Sequence, residues 1–221
     1  MYDAAIFDKD GVLLDSVEDG FKWMDRIRVR EAARIGIDLT IDEAESIAHA
    51  KSREELVQFL REKGMSWKQL MEIESRVERE KRGKVRNGDI QLFSQVQDIL
   101  EGTKLPKAVV SNSPRTTTEF VLNYFNIDRY FDAVYAPELD PSGSFLDRRK
   151  PNPSMLREAV NALEARNPVM IGDTSADVRA AKRLGIDSIL VDRHGLSDLN
   201  PTHRVDSLSE LKKLLMPRAV S

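Results

Sequence analysis

The 221-residue sequence predicts an α/β protein: a parallel sheet with helices on both faces, interrupted near its start by an all-helical insertion. Three observations predict it. Short apolar runs alternate with helical segments from residue 87 onward. About 70 residues before that carry helical periodicity only. Polar residues able to do chemistry follow the strand-like runs one after another.

The first strand is expected over residues 3–8, in the run Ala4-Ala5-Ile6-Phe7. From Ser16 to Arg86 the pattern is helical, with Phe21, Met24, Ile27 and Ile35 at helical spacing. Thr40-Ile-Asp-Glu43 and Ser52-Arg-Glu-Glu55 are capping-box sequences, each opening a helix, and Gly64 can stop the second. Ser66 caps a further helix running towards Arg82 before Gly83. After Asn87-Gly-Asp89 a helix ends near Gly102, and Lys107-Ala-Val-Val-Ser111 is a buried strand. Ser113-Pro114 reads as N-cap and first helical residue of a helix reaching Phe125. Ala133–Ala136 is strand-like, and a helix follows Pro153. Pro168–Gly172 is a strand, Ser175–Leu184 a helix closed by Gly185, and Ser188–Val191 a strand. Ser207-Leu-Ser-Glu210 caps the last helix.

Composition narrows the function. Hydrophobic residues make up 41% and charged residues 32%, as in soluble globular chains. No apolar run approaches the roughly 18 residues of a membrane span, and MYDAAIFD lacks the basic and apolar regions of a signal peptide. There is no cysteine, so disulfides, thiolate catalysis and cysteine–zinc sites are excluded. A net charge of −3 gives no general pull towards nucleic acid. These features suit a cytoplasmic protein with no membrane or nucleic-acid partner. The basic stretch Arg76–Arg86, interleaved with Glu78 and Glu80, reads as a solvated helix laced with charge pairs.

In parallel sheets, ligands bind beyond the carboxyl ends of the strands. The residues found there are Asp8, Lys9, Asp10 and Gly11; Ser111 and Asn112; Lys150 in a later loop; and Asp173 and Asp177. Asp8 and Asp10 share one face of an extended segment, and Lys9 points away from them. Clustered carboxylates repel unless a cation lies among them, and hard oxygen ligands suit Mg²⁺ beside a substrate phosphate. Gly11 permits a sharp turn that brings amides to an anion. Ser111 and Lys150 can hold phosphate oxygens, so the set supports phosphoryl transfer to a carboxylate. Each element alone has a plainer reading. Asp-Lys-Asp-Gly is a common turn, Ser111-Asn112 and Asp173 could be helix caps, and Lys150 beside Arg148 and Arg149 could be surface charge.

Taken together, Asp8-Lys9-Asp10-Gly11-Val12-Leu13, Ser111-Asn112, Lys150-Pro151 and Gly172-Asp173 to Asp177 resemble the four motifs of the haloacid dehalogenase superfamily, in its phosphatases with a helical cap. The resemblance implies a Rossmann-like core over 1–15 and 87–221 and a cap over 16–86. It implies that Asp8 is the nucleophile and Asp10 the general acid, then base. Mg²⁺ would be held by Asp8, Asp173 and the Asp10 backbone carbonyl. Asp177 would orient metal-bound water or Lys150. Ser111, with Asn112 and Gly11 beside it, would hold the phosphoryl group, and Lys150 would neutralise charge on Asp8 and the phosphate. In the cap, Lys51 and Arg53 lie in a segment resembling a substrate-facing loop.

The function implied is Mg²⁺-dependent hydrolysis of a small phosphomonoester of phosphoglycolate or sugar phosphate type, through an aspartyl-phosphate. A phosphosugar mutase is the alternative, disfavoured by Gly20 where such mutases carry histidine. A phosphonate hydrolase would need a Schiff-base lysine, for which Lys22 and Lys51 are available. A non-catalytic phosphoacceptor is the third reading. Lys9 is expected to be non-catalytic, its charge drawing anions towards the cap opening. His49, His194 and His203 are expected to do no chemistry.

Overall fold

Strand β1 (Ala4–Phe7) is buried on both faces, and its side chains alternate between two separate cores. The computed structural model describes residues 1–17, 21–48, 50, 52–140, 142–193, 195 and 199–216. Ala5 and Phe7 join one apolar cluster with Val109, Val169 and Ile171, while Ile6 joins another with Ala108, Val110 and Met170. Period-two alternation with apolar residues in both phases is what a strand covered on both faces requires.

The insertion leaves the core after β2 (Leu14–Asp15) and returns at β3 (Gln91–Leu92), which pair antiparallel as Leu14 with Leu92 and Asp15 with Gln91. Between them lie α1 (Lys22–Arg34), α2 (Ile41–Ala48), α3 (Arg53–Glu62) and α4 (Trp67–Asn87). These form the all-helical cap around Trp23, Ile27, Leu56, Leu60, Leu70, Ile73 and Val77. The expected caps form: Thr40 with Glu43, Ser52 accepting from the Glu55 amide, and Ser66 with Gln69 in a full capping box.

The core continues with α5 (Val96–Gly102), β4 (Lys107–Val110), α6 (Arg115–Tyr124), β5 (Ala133–Tyr135), α7 (Phe145–Arg148), α8 (Ser154–Ala162), β6 (Pro168–Gly172), α9 (Ser175–Leu184), β7 (Asp187–Val191), β8 (His203–Val205) and α10 (Leu208–Leu215). The sheet order is β5-β4-β1-β6-β7-β8, with every pairing parallel. β1 therefore lies between β4 and β6, and the chain direction of the winding reverses at β1. Asp8, Ser111 and Asp173 each follow one of these three neighbouring strands. Among the described residues no helix is long and apolar enough to cross a membrane.

Two local expectations are corrected. α4 does not stop at Gly83; it runs on to Asn87, and Gly88, at φ 82°, makes the left-handed C-cap. A mid-helix glycine is unfavourable by only about 1 kcal/mol, less than the packing of Val77 and Val85 on either side returns. The 76–86 stretch is also not simply solvated: Val77, Glu78, Lys81 and Val85 are all buried. β2, β3, α7 and β8 were not foreseen, being too short to carry a periodic signal.

A Cβ added at Gly83 would meet nothing within 4 Å. Gly83→Ala should therefore stabilise the protein by about 0.5–1 kcal/mol, read from urea denaturation midpoints.

Candidate active site

Asp8 is the first residue past β1. Its amide donates to the Ile171 carbonyl at 2.8 Å, which fixes the backbone against β6. Its Oδ1 accepts from the Lys9 amide at 2.7 Å and lies 2.9 Å from Lys150 Nζ. Burial pushes the Asp8 carboxyl up to about 6; Lys150 opposes this, and Asp177 and Asp10 add to it.

Lys150 is enclosed. Its Nζ donates to the Val110 carbonyl at 2.7 Å and lies 2.6 Å from Asp177 Oδ1, a contact of opposite charges rather than an aligned hydrogen bond. Burial alone would lower its pKa, but Asp177 and Asp8 raise it above the ordinary lysine value. Asn112, expected to face phosphate, clamps the Lys150 backbone. Its Nδ2 donates to the Lys150 carbonyl at 2.9 Å, and its Oδ1 accepts from the Lys150 amide at 2.7 Å. These two bonds fix the Lys150 backbone and leave Asn112, which lines the cavity, one N–H and one lone pair. Ser111 Oγ accepts from the Ser113 amide at 3.1 Å and keeps its own proton to donate.

Asp173 is not the cap of α9. Thr174 takes that place, with Asp177 Oδ2 accepting from the Thr174 amide and hydroxyl at 3.1 and 2.6 Å. Asp173 Oδ1 is buried with no hydrogen-bond donor. Burial, then Asp8 and Asp177, push its carboxyl well above the usual range. Oxygens of Asp8, Asp173 and Asp177 lie within 4.8 Å of one another. Three buried carboxylates with one ammonium, and an oxygen that no donor reaches, fit a hard divalent cation.

Gly11 contributes through what it lacks. At φ +74° its missing Cβ would lie 1.8 Å from Asp173 Oδ2. Its amide does not face an anion, since it donates to the Leu14 carbonyl at 2.9 Å.

Asp10 has a different environment. Lys81 Nζ and Ser16 Oγ donate to its Oδ1, each at 2.6 Å, while Lys9 Nζ and Ser113 Oγ donate to Oδ2, each at 2.7 Å. Burial works against the anion, but Lys81 and then Lys9 hold the carboxyl well below its usual range. This corrects the expectation for Lys9. Its side chain is 0% exposed and turned onto Asp10, so it cannot attract anions at an opening. Alternation fails because β1 ends at Phe7, and the chain has already bent at Lys9.

Lys81, Ser16 and Ser113 were missed. Lys81 carried a signal: it lies four residues after Val77 and four before Val85, a lone cation in an apolar stripe. Asp8, Asp10, Ser111, Asn112, Lys150 and Asp173 all line one cavity of about 270 Å³ beneath the cap. Arg53 does not reach it; it opens α3 exposed to solvent. Lys51, like Gly20, His49 and His194, lies outside the described residues. His203 is exposed on β8, edge-on to the Tyr2 ring.

Comparison with known proteins agrees with this geometry. Residues 2–185 match the haloacid dehalogenase-like hydrolase family, and the chain belongs to it. A phosphoglycolate phosphatase of Vibrio parahaemolyticus is 28% identical, over 95% of this chain and 94% of its own length. Another, plasmid-encoded in Cupriavidus necator, is 34% identical over 50% of this chain, and the match spans only 48% of that enzyme. The crystal structure of CbbY from Rhodobacter sphaeroides with phosphate superposes with a TM-score of 0.74 at 22% identity, covering 96% of both chains. A HAD phosphatase from Thermococcus onnurineus superposes at 0.63, with 21% identity over 96% of this chain and 97% of its own. These likenesses establish the α/β core with its helical cap.

Gly11→Ala should be destabilising by about 1–3 kcal/mol in urea, through a strained φ and displacement of Asp173. A midpoint equal to that of the wild type would show that Asp173 yields without strain.

Proposed function

We propose that the protein is a Mg²⁺-dependent phosphatase that hydrolyses a small phosphomonoester through an aspartyl-phosphate on Asp8. The observation that carries this reading is the division of one cavity into two electrostatic halves. Asp8, Asp173 and Asp177 form an acidic half with Lys150, and Asp10 forms a basic half with Lys9 and Lys81. The relatives named as phosphatases, and the R. sphaeroides structure with phosphate, support it.

Asp8 attacks phosphorus, and Lys150 and the Ser111 hydroxyl offset charge on the transferred group. Asp8 and Asp173 would hold Mg²⁺, with Asp177 beside them; the bound ion would supply electrophilic stabilisation of the phosphoryl oxygens. Asp10 stands as a carboxylate in the ligand-free site, which suits the base that draws a proton from water in the second step. To protonate the leaving alcohol in the first step, it must arrive carrying a proton, so ligand binding has to loosen the grip of its four donors. Lys81 offers no free amine for an imine, because Asp10 keeps it charged: burial lowers its pKa, but Asp10 and Glu78 raise it above the ordinary value. That disfavours the phosphonate-hydrolase alternative at this lysine.

Asp8→Asn should lower kcat by more than about a thousandfold while the circular dichroism and cap–core packing persist. Turnover near the wild-type rate would remove Asp8 as nucleophile. Metal binding should depend on pH. Asp8 keeps its proton up to about 6; in metal-free protein the stability tied to that neutral form is complete below the ordinary carboxyl range and is lost as pH rises through 6. Above 6 a cation meets a ready carboxylate, and below 6 it competes with the proton. Mg²⁺ about a hundredfold above its Kd should raise Tm by about 5–10 °C near pH 7.5. The rise should be smaller near pH 5.5 and largely lost in Asp173→Asn. An equal rise at both pH values would contradict this assignment.

A further inference from the structure

Among the described residues four cations line the cavity: Arg28, Lys81, Arg149 and Lys150. Three of them meet carboxylates at contact distance. Arg28 pairs with Asp25 and Glu74, each at 2.7 Å, and Lys81 with Asp10 at 2.6 Å. Lys150 pairs with Asp8 and Asp177 at 2.9 and 2.6 Å. Arg149 has no ion pair with any described residue. Of its five N–H groups only that on Nε is used, donating to the Asn112 carbonyl at 3.3 Å. Phe145 flanks the guanidinium, its ring centroid 5.8 Å away.

The surroundings of Arg149 show which part of a ligand it can reach. It precedes Lys150 in the chain, so it belongs to the core loop and not to the cap. The charged groups that act on it are Glu74, Arg28 and Glu78, all on the cap helices α1 and α4. Its head therefore lies on the cap side of the cavity, past the phosphoryl end marked by Asp8, Asp173 and Lys150, where the leaving alcohol must sit. Burial lowers its pKa and Glu74 opposes this; with Arg28 and Glu78 included, the group stays below the ordinary arginine value, so the cap acids do not fully offset it. Asp25, Glu74 and Glu78 against Arg28, Lys81 and Arg149 leave this wall neutral. Selection here comes from directed donors, not from net charge. A guanidinium with neither terminal nitrogen engaged presents the paired donors that a carboxylate or phosphate accepts bidentately.

We infer that Arg149 is a specificity residue that holds an oxyanion, a carboxylate or a second phosphate, carried by the leaving alcohol. This rests on the phosphatase reading and refines it. Discrimination between esters then comes from the core loop that also supplies Lys150, and not from the cap segment around Arg53. Asn112 sets the spacing of the two cations. Its carbonyl accepts from Arg149 Nε while its side chain grips the Lys150 peptide. One cation is thereby held at the transferred group and the other at the far end of the ester.

The test compares esters with and without the distal anion. With Mg²⁺ present, kcat and KM are measured for phosphoglycolate against its isostere glycolamide phosphate, and for ethylene glycol bisphosphate against 2-hydroxyethyl phosphate. The wild type, Arg149→Lys and Arg149→Met are compared, and Tm is recorded for each. In the wild type at least one anionic ester should exceed its neutral partner by at least about tenfold in kcat/KM, and the pair that does so identifies the anion. In Arg149→Met that ratio should fall close to one, chiefly through KM. Arg149→Lys keeps the charge but loses the fork, and its ratio should fall by at least about threefold; it decides the matter if Arg149→Met does not fold. A role confined to packing, or to balancing Glu78, would lower Tm and move both members of a pair alike. A ratio that the variants leave intact, or a wild type without preference in either pair, would overturn the inference while leaving the phosphatase reading standing. No release from any ester, p-nitrophenyl phosphate included, would overturn both.

Discussion

One buried ammonium holds the site together. Lys150 Nζ reaches Asp8 beyond β1, the Val110 carbonyl at the end of β4, and Asp177 in the first turn of α9 beyond β6. Three adjacent strand ends are thus tied to one charge. Removing either carboxylate would leave a buried cation partly uncompensated, a change that typically costs about 3–5 kcal/mol. The loop carrying Lys150 is itself pinned, because Asn112 grips its peptide from both sides. The arrangement therefore depends on the sheet order. With β4 and β6 flanking β1, residues from four distant parts of the chain converge without any of them needing an unusual local sequence.

The same order divides the charges. The acidic groups collect on the β6 side of Asp8, and the lysines collect around Asp10 under the cap. Burial disfavours the charged form of both carboxylates, but neighbours decide the outcome. Asp8 has one cation against two nearby acids and rises; Asp10 has two cations at hydrogen-bond distance and falls. Two carboxylates two residues apart are thus given opposite characters by environment alone, the condition under which one can act as nucleophile and the other as acid and base.

The fold and the acidic half were legible in the sequence because they are local. β1, β4 and β6 are short apolar runs, each followed by its polar residue, and the caps of α2, α3 and α4 are spelled in four-residue patterns. The basic half was not. Lys81 meets Asp10 across 71 positions and Ser113 meets it across 103, so no window on the chain contains both partners. Lys9 was misplaced because strand alternation was carried two residues past the end of the strand. Asn112 lines the cavity with Ser111, but its hold on the Lys150 backbone, 38 positions away, was not visible in the sequence. Arg53, a specificity candidate drawn from a loop pattern, does not line the cavity, whose cap wall comes from α1, α2 and α3 as well as from α4, the helix whose charged face looked like solvent-exposed surface.

Ser113 shows what this convergence asks of the scaffold. In sequence it stands where α6 would take an N-cap, followed by proline. In the fold its hydroxyl is turned to Asp10, and α6 begins at Arg115 behind Pro114 with no side chain closing its first turn. A serine cap contributes about 1 kcal/mol to helix stability. α6 forgoes that contribution, and its neighbour Arg115 secures the helix start differently, its amide donating to the Pro137 carbonyl at 2.8 Å. The helix start is thus anchored from outside, by the chain beyond β5, which leaves one small hydroxyl at liberty to face the reaction centre. Secondary structure here is under-stabilised locally by design of the tertiary contacts, and the freed group is a polar one placed within reach of the carboxylate that must exchange protons.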